Sequence, residues 1–226
     1  MQQKQIKLQS KKWYNGYSWD GKTFAYNPFS TLLFFKNKRF NEYWFETGTP
    51  TFLIKQIEKE EELKTYIEPQ AVSTDILRGA DDDLIETTGM LFQTGYLTVK
   101  KEEIGEDMRA EYTIDFPNME VKNAFLTRLL ARYAKKTQKD VQSVRGEVYS
   151  SLRNKDEEKL KESLTKIYAN IPYDILKKEE SYYEGLFLTT AIVSGFEVDG
   201  EAHTDKGRID AALKKGKEAI VVEIKY

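Results

Sequence analysis

The chain has 226 residues, 40% hydrophobic and 32% charged, and a net charge of -2, so it suits one large domain or two to three small soluble ones, and any nucleic-acid footprint must be local. No stretch approaches the roughly 20 apolar residues of a membrane span, and MQQKQIKLQSKK lacks the apolar centre of a secretory signal; a cytoplasmic, non-membrane protein is expected. With no cysteine and a single histidine, His203, disulfides, thiolate metal sites, most zinc sites and a Ser-His-Asp triad are excluded, leaving carboxylates, lysine or tyrosine for any catalysis.

Residues 11 to about 57 are dense in aromatics, which read mainly as core. Asn15-Gly16 and Asp20-Gly21 punctuate short extended pieces, and Asn27-Pro28-Phe29-Ser30 opens a helical run through Phe35. Thr49-Pro50 reads as a second helix start, carrying Phe52, Leu53 and Ile57. Beyond the charges of Glu58 to Glu62, Asp81-Asp82-Asp83 begins a helix that Gly95 stops. YLTVKK (96–101) and AEYTIDF (110–116) alternate like strands around the polar connector EEIGEDMR. Pro117-Asn118 ends this hairpin before an amphipathic helix through Val121, Phe125, Leu129 and Tyr133; helix, hairpin, helix in that order is the outline of a winged-helix domain. Residues 138 to 170 read as helical and highly charged, and Pro172 precedes a helix from about Tyr173 to Ser194 with Gly195 as its cap. FEVDGEAHT, GRIDAALKK and EAIVVEIKY then read as three consecutive strands.

The last strand poses a chemical question. Alternation sets Val221, Glu223 and Lys225 on one face and Ile220, Val222 and Ile224 on the other. A hairpin closed near Lys214 to Lys217 is expected to bring Asp210 opposite Val221, hence diagonal to Glu223 on the same face. Two close carboxylates repel unless something neutralises them, and one lysine cannot balance both. A hard divalent cation can, since magnesium takes one or two carboxylates and leaves positions for water and phosphate. Glu184 heads the apolar segment GLFLTTAIV (185–193), on the face of Leu188, Ala191 and Ile192, either at its rim or aimed at the same site. His203 reads as a surface residue, and Tyr182, Tyr183 and Tyr226 as packing.

Glu184 on a helix, GRID with Asp210, and an apolar strand ending in Glu223-Ile224-Lys225 together resemble the signature of the PD-(D/E)XK nuclease superfamily. Thr204 to Asp210 resembles the T-x-x-G-R-x-D form of bacterial members fused to AAA-type ATPase-like domains, and WYNGYSWDGKTFAYNPFS, the YWFETGTP run, FQTGYLTVKK and YTIDFPNMEV resemble the parts of those proteins between ATPase core and nuclease. The resemblance implies Asp210 and Glu223 as metal ligands, with the backbone carbonyl of Ile224 as a third, and Lys225 as the group that positions the attacking water. It gives Glu184 a supporting part at the metal and Arg208 a contact to phosphate. The implied cofactor is Mg2+ or Mn2+, and the implied partner nucleic acid, DNA before RNA.

The fold implied is α+β or α/β and multidomain: a helical, winged-helix-like N-terminal part followed by a restriction-endonuclease-like αβββ core lacking its final helix and strand. The divisions expected are 1–58 as the end of an ATPase-like domain, 59–136 winged-helix-like, 137–172 a helical connector and 173–226 the nuclease-like domain. No GxxxxGK[ST] occurs, so no ATP binding is expected of this chain. The strand at Tyr226 is expected to be an unprotected edge, open to homodimer pairing. The competing readings are a non-catalytic nucleic-acid-binding module built on the middle section and a protein-interaction scaffold; residues 81 to 95 hold acids and no lysine or arginine, which disfavours the former.

Overall fold

The computed structural model describes residues 2–47, 66–78, 87–169, 171, 180–204, 207–216 and 218–223, and of residues 2, 46, 47, 180, 181, 200–204 and 207–210 the backbone alone. The chain divides into two compact units, Met1–Lys59 with Pro69–Phe125, and Glu60–Glu68 with Leu126–Tyr226.

The first unit opens with helix α1 (Gln2–Tyr14), which hydrophobic periodicity did not announce. Its Gln, Lys and Leu residues are good helix formers, and its end is anchored by Tyr14, which is fully buried. Strands β1 (Asn15–Tyr17) and β2 (Ala25–Tyr26) pair antiparallel. The loop between them is braced by Asp20, whose Oδ1 accepts from Ser18 Oγ at 3.0 Å, Lys22 N at 2.9 Å and Thr23 N at 2.8 Å. Helix α2 (Pro28–Asn37) starts as expected: the Asn27 side chain accepts from Ser30 N, proline takes the first turn, and Lys38 ends the helix in the left-handed region. A 3-10 turn, Tyr43–Thr47, follows.

Tyr14, Phe34 and Tyr43 form the buried cluster here, with Phe40 stacked on Phe34 at 4.6 Å between ring centroids. The expectation of aromatic core holds for these residues, while Trp19, Phe24, Tyr26, Phe29 and Phe35 are exposed. The Thr49-Pro50 helix start, the Glu58 to Glu62 run and Asp81 to Asp83 lie outside the described residues.

Strand β3 (Gln70–Ser73) and helix α3 (Thr74–Arg78) precede α4 (Thr87–Gln93), strands β4 (Thr98–Ile104) and β5 (Ala110–Asp115), and helix α5 (Met119–Tyr133). The sheet order is β3-β5-β4, all antiparallel. Strand β3 escaped the sequence because only Val72 of its four residues is buried, so no alternation shows. Strand β4 runs on to Ile104, into the stretch expected as connector: Glu102, Glu103 and Ile104 pair with Tyr112, Glu111 and Ala110, and ladder hydrogen bonding outweighs their polarity at an edge. Gly95, with φ 81, ends the α4 turn as expected, and Asn118 caps α5 by accepting from Val121 N at 3.1 Å.

The second unit holds α6 (Gln138–Asn154), α7 (Glu157–Tyr168), α8 (Glu180–Val193) and strands β6 (Glu197–Thr204), β7 (Gly207–Lys215) and β8 (Glu218–Val222). The charged helical stretch is two helices: Thr137 and Asp140 form a capping box at the start of α6, Lys155 turns the chain in the left-handed region, and Asp156 caps α7. Val141, Val144, Val148 and Leu152 bury one face of α6, and Ser163 and Ile167 one face of α7. Helix α8 is apolar because it is enclosed, with Leu186, Leu188, Ala191 and Val193 buried, and it packs on α6 and β6. Tyr168 donates its hydroxyl to the Leu186 carbonyl at 3.0 Å. Gly195, at φ 98, closes α8 through Gly195 N to Ile192 O and Phe196 N to Ala191 O, the cap that the sequence implied.

Candidate active site

The three final strands form the expected meander, in the order β6-β7-β8, with the chemistry-bearing strand β7 in the centre. Its two faces differ. Leu213 and Lys215 belong to the covered face, where Tyr149, Phe196 and Ile220 line the same crevice and the Lys215 ammonium lies 5.5 Å from the Tyr149 ring centroid. On the other face the Lys214 ammonium pairs with Asp199 at 2.6 Å, and Val221 is exposed, as is Glu223 beyond the end of β8. Ile220 and Val222 are half-buried, which bears out the alternation read for this strand.

The register corrects one expectation. Val221 stands opposite Ala212, not Asp210, and Val222 opposite Ala211. The hairpin closes with Lys215 against Glu218, so the two-residue turn begins at positive-φ Gly216, one residue later in the chain than the Lys214–Lys217 closure assumed. Parity survives a shift of two. Carried one residue further, the ladder sets position 210 directly across from Glu223 instead of on a diagonal, and residues directly opposite one another are closer than diagonal ones.

The β6–β7 register adds a residue that the sequence reading missed. Gly200 pairs with Ala211 and Ala202 with Ile209, so position 201, a glutamate, falls beside position 210. Positions 201 and 210 thus share one level on β6 and β7, with 223 next in line just past the end of β8. The signal was present in the sequence: Thr204 and Gly207 close the turn with two residues between them, and counting back from that pair reaches 201 and 210 together.

Of the other expected site residues, Arg208 lies in β7, paired with His203, and Glu184 stands half-buried on α8, the helix that packs on β6. Ile224 and Lys225 lie outside the described residues. Tyr182, one turn before Leu186, is buried as expected, and burial pushes its hydroxyl up to about 12, so it stays protonated at neutral pH. Among the described residues no group of three or more His, Asp or Glu side chains is gathered to hold a metal ion. No helix among them is long and apolar enough to cross a membrane.

Known proteins locate this segment. Residues 178–226, which hold α8 and all three strands, match the family model described as the PD-(D/E)XK nuclease superfamily, and the chain carries a domain of that superfamily there. Across most of its length the chain is also similar to a protein of Azotobacter chroococcum mcd 1 called "Uncharacterized protein in vnfD 5'region", with 36% identity over 208 residues. That alignment covers 89% of this chain and 39% of the relative, so the chain spans well under half of the relative's length. No solved structure matches the chain.

Proposed function

We propose that this chain hydrolyses phosphodiester bonds in nucleic acid, DNA before RNA, with a divalent metal at the level of Asp210 and Glu223. The observation that supports this reading is the β7–β8 register: its last pair, Ala211 with Val222, makes 210 and 223 the next positions in line within the segment that matches the nuclease superfamily. The donor chemistry fits Mg2+ or Mn2+: the site offers carboxylate and carbonyl oxygens in a chain without cysteine and with one histidine, a hard-ligand set that suits these ions over zinc.

Asp210 and Glu223 hold the ion, with the Ile224 carbonyl as a third ligand and Glu184 in support. The bound ion supplies Lewis-acid stabilisation of charge on the scissile phosphate. Lys225 orients the attacking water and moves its proton, and Arg208 contacts phosphate. Incubating the chain with supercoiled plasmid, single-stranded DNA and RNA in Mg2+, Mn2+ or EDTA tests the assignment. Cleavage is expected only with metal, with DNA cut in preference to RNA, and Asp210→Ala, Glu223→Ala and Lys225→Ala are each expected to lower it by on the order of 100-fold or more. Absence of metal-dependent cutting, or equal cutting by the variants, overturns the reading.

A second reading, a nucleic-acid-binding module in the first unit, draws support from connectivity. Strand, helix, helix, strand, strand with β3 against β5 is the winged-helix order. Helix α4, TTGMLFQ, brings no lysine or arginine to a phosphate, so catalysis remains the favoured function. The finer assignments, an ATPase-like remnant in residues 1–58 and homodimer pairing along β8, rest on resemblance and on the edge position of that strand.

A further inference from the structure

Helices α1 and α2 border a cleft of about 550 Å³ whose walls are Ile6, Tyr26, Phe34 and Phe35, with Lys7 at its lip. Two of the walls are themselves well exposed, Phe35 at 58% and Ile6 at 45%, and Leu32, three residues before Phe35 on α2, is 69% exposed. These neighbours on two short helices are more apolar surface than scattered single residues account for, and adjoining exposed apolar residues mark an interaction site. The charge around it is one-sided. Residues 1–39 contain eight lysines and arginines and a single acid, Asp20, while the remainder of the chain has 27 basic and 36 acidic residues. The one acid is engaged with its own loop through Ser18, Lys22 and Thr23.

We propose that this cleft seats an amphipathic helix with acidic flanks from a protein partner. A groove between two helices accepts a third by ridge-and-groove packing, with anchors at i, i+3, i+4 and i+7 filling the apolar floor. The basic surroundings set the sign of the flanks: Lys4, Lys7, Lys11, Lys36, Lys38 and Arg39 are exposed on or beside these helices. Helix α1 gains from such an occupant, because residues 3–8 are exposed all round and a helix of 13 residues is marginal in water by itself. Aliphatic Ile6 in the wall and Leu32 beside Phe35 favour a protein over a nucleic acid as the occupant, since bases stack on aromatic rings and not on branched alkyl groups.

The test uses the full chain, in EDTA, and three labelled synthetic helices of about five turns. One bears leucines at i, i+3, i+4 and i+7 with glutamate elsewhere; the second replaces glutamate by lysine; the third keeps the composition of the first with its leucines scattered. Fluorescence anisotropy is expected to show the acidic amphipathic helix binding about tenfold or more tighter than either control. Phe35→Asp, an exposed change that circular dichroism can check for folding, is expected to weaken binding about tenfold, and so is the combined Lys4→Glu, Lys7→Glu, Lys11→Glu variant. Equal binding of the three peptides, an unchanged affinity in Phe35→Asp, or displacement of the peptide by a single-stranded oligonucleotide overturns the proposal. The outcome is independent of cleavage: Asp210→Ala is expected to bind the peptide like the parent chain.

Discussion

The two three-stranded sheets use antiparallel pairing to opposite ends. In β3-β5-β4 the ladder is interrupted between Val99 and Lys101, and the extra residue, Lys100, turns aside to donate its ammonium to the Pro117 carbonyl at 2.9 Å. Burial pulls the Lys100 pKa down, opposed by Asp115 and assisted by Lys122. In β6-β7-β8 neither ladder shifts register among its described pairs. A bulge re-aims one side chain and gives up the row; an unshifted register keeps the row and lines up acidic positions 201 and 210, with 223 next in line. The first arrangement suits a lock, the second a site that needs carboxylates from neighbouring strands.

The largest effect is expected from breaking the second pattern. One residue inserted between Ala211 and Ala212 moves Asp210 to the other alternation class, so metal-dependent cleavage should fall by on the order of 100-fold or more, as for Asp210→Ala, with the melting temperature showing that the domain still folds. Restoring parity with a second inserted residue should recover less than the parent activity, because the acids then face new neighbours.

The lock in the first unit is broken next. Gly16 has φ 132, and a Cβ there would meet the Pro117 carbonyl oxygen at 1.9 Å. Gly16→Ala is therefore expected to cost about 2–4 kcal/mol in urea unfolding, from steric contact and from backbone strain together.

Glu120 sharpens the contrast through pH. It is fully buried in the first turn of α5, where its Oε1 accepts from Ser30 Oγ at 2.9 Å and Trp44 N at 2.8 Å, while Oε2 has no partner. Burial pushes its carboxyl up to about 7 against the pull of those hydrogen bonds. The folded state therefore holds the proton more tightly than the unfolded chain does. Its stabilising contribution is complete below the ordinary carboxyl pKa of 4.5 and is lost as pH rises through about 7. Across that window the stability of Glu120→Gln, measured by chemical denaturation, should fall less than that of the parent, by about 1–3 kcal/mol. Last, Lys100→Met keeps the apolar stem and removes the donor to Pro117, with an expected loss of about 1 kcal/mol in the same measurement.

Much of this was legible in the residues. Asn27-Pro28 started α2, Gly95 and Gly195 ended their helices, and the alternation from Ile220 to Glu223 divided covered from open positions, since caps, turns and period-two patterns depend on a few neighbouring residues. Strand β3 was hidden because a four-residue edge strand with one buried side chain carries no period. Helix α1 was hidden because its polar residues favour helix without marking a face. The register error at Asp210 has a different origin: turn position decides pairing, and a two-residue turn that begins one residue later, at Gly216, moved the partner by two and left the face unchanged.

By itself, then, the sequence determined the alternation of the last strands, the helix ends, an oxygen-rich donor set without thiolate, and a basic first segment in a chain otherwise acidic. These follow from residue type and spacing. Tertiary structure alone decided that Lys100 turns toward Pro117, that Glu120 is buried between Ser30 and Trp44, and that α1 and α2 border a cleft. Each of these joins residues brought together by packing and hydrogen bonding between separate elements, a pairing that local pattern does not encode.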